Sequence, residues 1–257
     1  MAAQQGFQYE KNVANFLRKS GLVDKNFQPA GSGSDRADLE LLFKKKTINV
    51  ELKITAASGG SLVLKWDPRK KKWGFGDVSS DPEKSFLADL ATSSGALKRI
   101  NKEWSSVPLK RDFLNPSEKA QVERIPKASR YKIDAANFQE IKGELPGSSV
   151  SDYYAMKDTY YVNIGTSGFY TFGNSDPNKL NENCEKKGLP AIPSFAKAAN
   201  VKYRARVQDK GGGNYQYTFE LAFSIPKSKE SPYNIGPCSG KGSVEILKSQ
   251  ANISCLL

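Results

Sequence analysis

The sequence predicts a mixed α/β (α+β) protein with a largely antiparallel sheet. Three observations predict it: helical apolar spacing near the N-terminus, a proline-punctuated helical stretch in the middle, and alternating strand-like segments on either side of that stretch. At residues 5–20, Tyr9, Val13, Phe16 and Leu17 recur at helical spacing, Arg18 and Lys19 suit the last turn, and Gly21 follows as a stop. Two strand-like segments come next, ADLELLF (37–43) and TINVELKI (47–54), and a lysine-rich turn between them makes a hairpin. SLVLKW and KKWGF, hinged at Asp67-Pro68, predict a further strand pair. Pro108, Pro116 and Pro126 then break a run of helical segments, which we take as an insertion over about residues 81–150. Strands return at 159–165, 168–173, 201–207 and 215–225, the last two joined across Gly211-Gly212-Gly213. Residues 226–257 form a poorly patterned tail, and the whole chain, 1–257, is expected to be a single domain.

Composition narrows the chemistry. Lys and Arg number 39 against 27 Asp and Glu, so the formal charge of +12 must attract polyanions, of which nucleic acid is the commonest. An anionic membrane is the rival partner, but the sequence has neither a basic amphipathic helix nor an apolar run near the roughly 20 residues of a membrane span. The start lacks the pattern of a signal peptide, and the three cysteines, Cys184, Cys238 and Cys255, form no close pair. A reducing cytoplasm is the expected compartment. Histidine is absent, which removes Ser-His-Asp hydrolases, histidine-ligated zinc enzymes, HNH-type nucleases and histidine-based phosphodiesterases. Hydrolysis by a hard metal held on carboxylates, with lysine as accessory, remains open.

The first hairpin supplies such a constellation. If the turn centres on Lys44-Lys45, facing residues have numbers summing to 89, which sets Asp38 opposite Glu51. Side chains alternate along the second strand, so Glu51 and Lys53 share a face and Asp38 joins them, with cross-strand Cβ atoms about 4.5–5.5 Å apart. Two carboxylates that close repel unless a cation lies between them. Oxygen ligands select Mg²⁺, or Mn²⁺ in its place, over zinc. A cation there would activate water and stabilise charge on a phosphoryl oxygen while Lys53 orients the nucleophile, which is phosphodiester hydrolysis. Glu10 stands on or beside the apolar stripe of the first helix, where a carboxylate is costly without a partner, and could reach the same centre. The plain alternative is a surface hairpin with a salt bridge from Glu51 to Lys53 or Lys46.

Glu10, Ala37-Asp38 and Glu51-Leu52-Lys53 together resemble the PD-(D/E)XK nuclease superfamily, over roughly residues 6–55. The resemblance implies a restriction-endonuclease-like αβββαβ core, Mg²⁺ on the Asp38 and Glu51 carboxylates and the Leu52 main-chain carbonyl, and a catalytic Lys53. Ala37 stands where the motif's name has proline. The segment TYYVNIGTSGFYTFG looks similar to parts of phage-encoded and restriction-type members, and a phage protein would work in its host's cytoplasm. The E-x-K string occurs three times, at Glu51, Glu140 and Glu185; the second reads as helix and the third as a polar loop, so context selects the first.

For nucleic acid, Lys65, Arg69, Lys70, Lys71 and Lys72, flanked by Trp66 and Trp73, make the densest basic and aromatic cluster. Either the hairpin tracks a phosphate backbone with an aromatic free to stack, or the two tryptophans are a core pair under a solvated tip. Ser34, in the Gly31-Ser32-Gly33-Ser34 loop, is a candidate phosphate contact, against a plain flexible loop. Arg204 and Arg206 alternate along a strand and suit either DNA contact or a solvated face. The expected activity is that of a Mg²⁺-dependent DNA endonuclease, with a non-catalytic nucleic-acid-binding protein as the alternative. Cutting both strands takes two active sites, for which a homodimer is one route.

Overall fold

In the computed structural model, the structure describes residues 2–29, 37–43, 46–55 and 58–236. Ser34, the Lys44-Lys45 turn, Cys238, Cys255 and the tail beyond residue 236 lie outside the described residues. The chain gathers into two compact units. The first takes the described residues of Met1–Ala57, Pro146–Asn200 and Phe223–Leu257; the second is Ser58–Leu145 with Val201–Ala222.

The first unit opens with α1 (Ala2–Lys19). Its apolar stripe is buried through Tyr9, Val13, Ala14 and Leu17. Gly21, at φ +71°, ends it: the Gly21 and Leu22 N–H groups donate to the Arg18 and Leu17 carbonyls, and a side chain at that φ would be strained. Strands β1 (Leu39–Phe43) and β2 (Lys46–Lys53) pair antiparallel from Leu39↔Val50 to Phe43↔Lys46, the register in which facing numbers sum to 89. Leu39, Leu41, Phe43, Ile48, Val50 and Leu52 enter the same core as α1. Each buried aliphatic side chain contributes roughly 1.5–3 kcal/mol, so the alternation fixes which face of β2 is left for polar groups.

Helix α6 (Ser148–Ala155), strand β6 (Tyr161–Ile164) and strand β7 (Gly168–Thr171) complete the sheet in the order β1-β2-β6-β7. β6 runs parallel to β2, with Leu52 beside Asn163 and Lys53 beside Ile164. All four residues of β6 are buried. Against the expected αβββαβ core, the third strand of the chain pairs in the sheet of the other unit, and β6, which follows α6, lies beside β2. Tyr233 and Ile235, from the tail that lacks periodicity, dock on this sheet, where Phe169 N–H donates to the Tyr233 carbonyl at 2.6 Å.

The second unit holds a five-stranded sheet, in which β3 (Ser58–Asp67), β4 (Lys72–Gly74), β5 (Ile141–Glu144), β8 (Asn200–Gly211) and β9 (Asn214–Ser224) take the order β4-β3-β9-β8-β5. β3 departs from the first sheet because its alternating Leu62, Leu64 and Trp66 are buried here, in a unit whose core is aromatic. Trp73 meets Trp66, Trp104, Phe138 and Tyr217 with ring centroids 4.7–5.7 Å apart, and its indole N–H donates to the Trp104 carbonyl at 2.8 Å. Helices α2 (Pro82–Ser93), α3 (Ala96–Glu103), α4 (Pro116–Val122) and α5 (Lys127–Asn137) fill most of the expected helical stretch. Two local expectations are corrected. Glu140-Ile141-Lys142 enters strand β5, not a helix, because Ile141 is buried and Gly143 admits the Tyr203 ring against the backbone. Glu185-Lys186-Lys187 continues helix α7 (Leu180–Lys186), not a loop, since Leu180 and Cys184 bury one helical face. No described helix is long and apolar enough to cross a membrane.

Candidate active site

The polar face of β2 carries the site. Ladder pairing stops at Leu39↔Val50, and Asp38 lies one residue before β1, with Glu51 close enough to act on its charge. Its position is fixed by a hydrogen bond: Asp38 Oδ2 accepts from the Leu52 N–H at 2.9 Å. Lys53 Nζ forms an ion pair with Glu51 Oε1, as two residues apart on one strand face permits. The same Glu51 oxygen accepts from the Tyr154 hydroxyl of α6 at 3.0 Å. Tyr154 is buried and stacks on Phe172 with centroids 4.2 Å apart and planes 8° from parallel. Glu51 is 7% exposed, so this carboxylate stands in the protein and not on its surface.

Asn163 ties the helix to this face. Buried on β6 beside Leu52, it donates to the Tyr9 hydroxyl and to Asn234 Oδ1, each at 3.0 Å, and accepts from the Ile235 N–H. Anchoring Tyr9 sets the rotation of α1 and with it Glu10. Glu10 Oε2 is buried with no hydrogen-bond partner among the described residues.

Each charge bears the mark of its neighbours. Asp38 is pushed up to about 7, first by burial and then by Glu51, with the Lys53 ammonium and the Leu52 N–H pulling the other way. Burial would lower the Lys53 ammonium, but Glu51, Asp38 and Glu10 outweigh it and raise the group above its ordinary value. Glu10 is raised, chiefly by burial, with Lys53 opposing and Glu51 adding. Tyr154 is held well above the usual phenol range by burial and by Glu51. Three carboxylates thus share one ammonium, and the ionised cluster is short of positive charge.

The donors are all oxygens, and one of them, Glu10 Oε2, is buried and orphaned; such a set fits a hard divalent cation. Among the described residues no group of three or more acidic, cysteine or histidine side chains is placed to hold an ion, so a cation here would rest on fewer than three of these carboxylates as they stand. Tyr154 gave no sign in the sequence. It lies in a helical stretch about a hundred residues from Glu51, with only a neighbouring tyrosine for context.

The remaining candidates lie in the second unit. Trp66 and Trp73 are the cross-strand core pair, buried edge to face at 5.3 Å, which leaves no indole free to stack on a base. Lys65, Arg69, Lys70, Lys71 and Lys72 are exposed around that hairpin. Arg204 and Arg206 are partly exposed but not free: both hold the buried Glu220, at 2.5 and 3.1 Å.

No protein-family model and no curated protein matches the sequence. A solved structure, HhaI endonuclease in complex with DNA, is similar over 97% of this chain and 98% of that chain, at 10% identity and a TM-score of 0.42. Similarity at that level identifies neither a family nor an activity.

Proposed function

We propose that the chain is a Mg²⁺-dependent nuclease that hydrolyses phosphodiester bonds of DNA as an endonuclease. The observation that carries the reading is the net-acidic, largely buried cluster of Asp38, Glu51 and Glu10 around the single ammonium of Lys53. A structural hairpin has no use for such a cluster, because unbalanced buried charge costs stability. The Asp38 and Glu51 carboxylates and the Leu52 carbonyl would hold Mg²⁺, or Mn²⁺ in its place. Glu10 would be a third carboxylate, joining after side-chain rearrangement. When bound, the cation supplies positive charge at the phosphoryl group under attack.

The chain's own residues do the rest. Tyr154 fixes Glu51 through its hydroxyl, and the Leu52 N–H fixes Asp38, so neither carboxylate needs to reorganise. Lys53, still 26% exposed, can leave Glu51 for a phosphate oxygen or orient an attacking water by hydrogen bonding. The formal charge of +12 and the exposed lysines of the β3–β4 hairpin suit a polyanionic substrate.

A plasmid-nicking assay with Mg²⁺ and with chelator tests the reading. Mg²⁺-dependent nicking lost in Asp38→Ala and Lys53→Ala is the expected result. Tight DNA binding without metal-dependent cutting would replace it with the non-catalytic alternative, for which the exposed basic hairpin suffices. Preferential cutting of RNA would move the substrate.

A further inference from the structure

A cavity of about 320 Å³ lies wholly within the second unit, and none of its lining residues belongs to the Asp38 cluster. Lys110, Arg111, Lys127 and Arg130 line it, together with Gly213 and Tyr215. That volume is at the lower end of small-ligand sites, about 300–1,000 Å³, and accommodates a phosphate with part of a sugar.

The lining is cationic beyond its own needs. Two acids share the cavity, Asp112 and Glu123, and each already faces a base: Lys110 stands 3.6 Å from Asp112 and Arg111 3.4 Å from Glu123. These exposed pairs are weak and open readily to a better anion. Lys127 has no partner among the described residues, and Arg130 uses only its Nε, which donates to the Ile125 carbonyl at 2.7 Å. The guanidinium of Arg130 is thereby held in one orientation with its two terminal nitrogens available, the fork that matches a phosphoryl group. Gly213 keeps the wall open. It has φ +77°, and a Cβ there would meet the Lys127 Cβ at 3.0 Å.

We propose that this cavity is a second, metal-independent site for a phosphoryl group carried on a nucleic-acid strand. Lys127 and Arg130 supply the principal contacts, and Lys110 and Arg111 turn from their acidic partners to complete the charge. The site goes beyond the nuclease reading and holds its ligand with no metal present.

Isothermal titration of the full chain in chelator, at fixed ionic strength, tests it with three probes: inorganic phosphate, a thymidine tetranucleotide bearing a 5′-phosphate, and the same tetranucleotide with a 5′-hydroxyl. Binding of phosphate and of at least one oligonucleotide is expected, weakened about tenfold or more by Lys127→Glu and by Arg130→Gln, against less than about twofold by Lys102→Glu. Lys102 is an exposed residue of the same unit outside the cavity and controls for net charge. A preference for the phosphorylated strand assigns the site to a strand end; equal binding of the two assigns it to an internal diester. Absence of binding by all three probes, or equal losses in Lys102→Glu and Lys127→Glu, would overturn the site. Because nothing is cleaved, failure here leaves the nicking assay untouched, and failure there leaves this titration untouched.

Discussion

Each unit buries carboxylates, and it provides for them in opposite ways. In the second unit Glu220, 2% exposed, accepts from Arg204 Nε at 2.9 Å, from both Nε and Nη2 of Arg206 at 3.3 and 3.1 Å, and from Gln208. Asp134, fully buried, accepts from the Leu109 N–H at 3.0 Å, the Tyr215 hydroxyl at 2.6 Å and the Tyr217 hydroxyl. Both are saturated. In the first unit Asp38, Glu51 and Glu10 share one lysine, and an oxygen of Glu10 is buried without a partner. Glu220 and Asp134 find their donors within the fold, whereas Glu10 keeps a buried oxygen that the described residues leave without one. On this ground the two arginines on β8 are assigned to structure, and the chemistry we propose is placed on Asp38, Glu51 and Lys53.

The comparison breaks most visibly in the rate. Lys53→Ala is expected to lower Mg²⁺-dependent nicking by roughly 10²–10⁴-fold, read by single-turnover cleavage at a temperature where a thermal melt shows the variant folded. Glu220→Ala should leave the rate of the folded protein unchanged and act on stability. It removes the carboxylate that both guanidinium groups share, although Arg204 keeps Glu140 at 3.5 Å, and costs about 1–3 kcal/mol in denaturant unfolding. Nicking equally sensitive to both changes at a temperature where both fold would erase the distinction between the units.

A pH series sharpens it. Asp38 is raised in the folded protein from 3.8 to about 7, so the folded state binds its proton more tightly than the unfolded chain does. The stability this confers is full below about pH 4 and is lost as pH rises through 7. The metal-free protein should therefore melt lower at pH 8 than at pH 5.5 on this account, and Asp38→Asn should flatten the slope. Added Mg²⁺, which favours the ionised carboxylates, should raise the melting temperature more at pH 8 than at pH 5.5. The smallest effect belongs to Tyr154→Phe. Loss of one hydroxyl to Glu51 should cost about 0.5–1.5 kcal/mol of stability and a few-fold in nicking, with metal affinity weakened in parallel.

The sequence was most legible where one periodicity decided the structure. Alternation through Ile48, Val50 and Leu52 and a two-lysine turn predict the register of β1 and β2, which the ladder from Leu39↔Val50 to Phe43↔Lys46 follows. Helix α1 was legible for the same reason, through Tyr9, Val13 and Leu17. Long-range pairing was not. The place of β6 beside β2 depends on Asn163, which joins Tyr9, Asn234 and Ile235 across distant segments, and buried β6 offers no alternation to read. The departure of β3 to a second sheet follows from an aromatic core assembled from Trp73, Trp104, Phe138 and Tyr217, residues with no local spacing in common. Arg204 and Arg206 suit either DNA contact or a solvated face in sequence because nothing nearby marks Glu220 as their partner, and Tyr154 is silent for the same cause.

The central claim is that the first unit's acidic cluster is built for a divalent cation, and a crystal soaked in Mn²⁺ tests it by anomalous scattering. The account predicts a peak in contact with a carboxylate oxygen of Asp38 and one of Glu51, with Lys53 moved off Glu51, and no such peak in Asp38→Asn. An undisturbed Lys53–Glu51 pair with no manganese beside it, at concentrations that support or fail to support nicking alike, would contradict it.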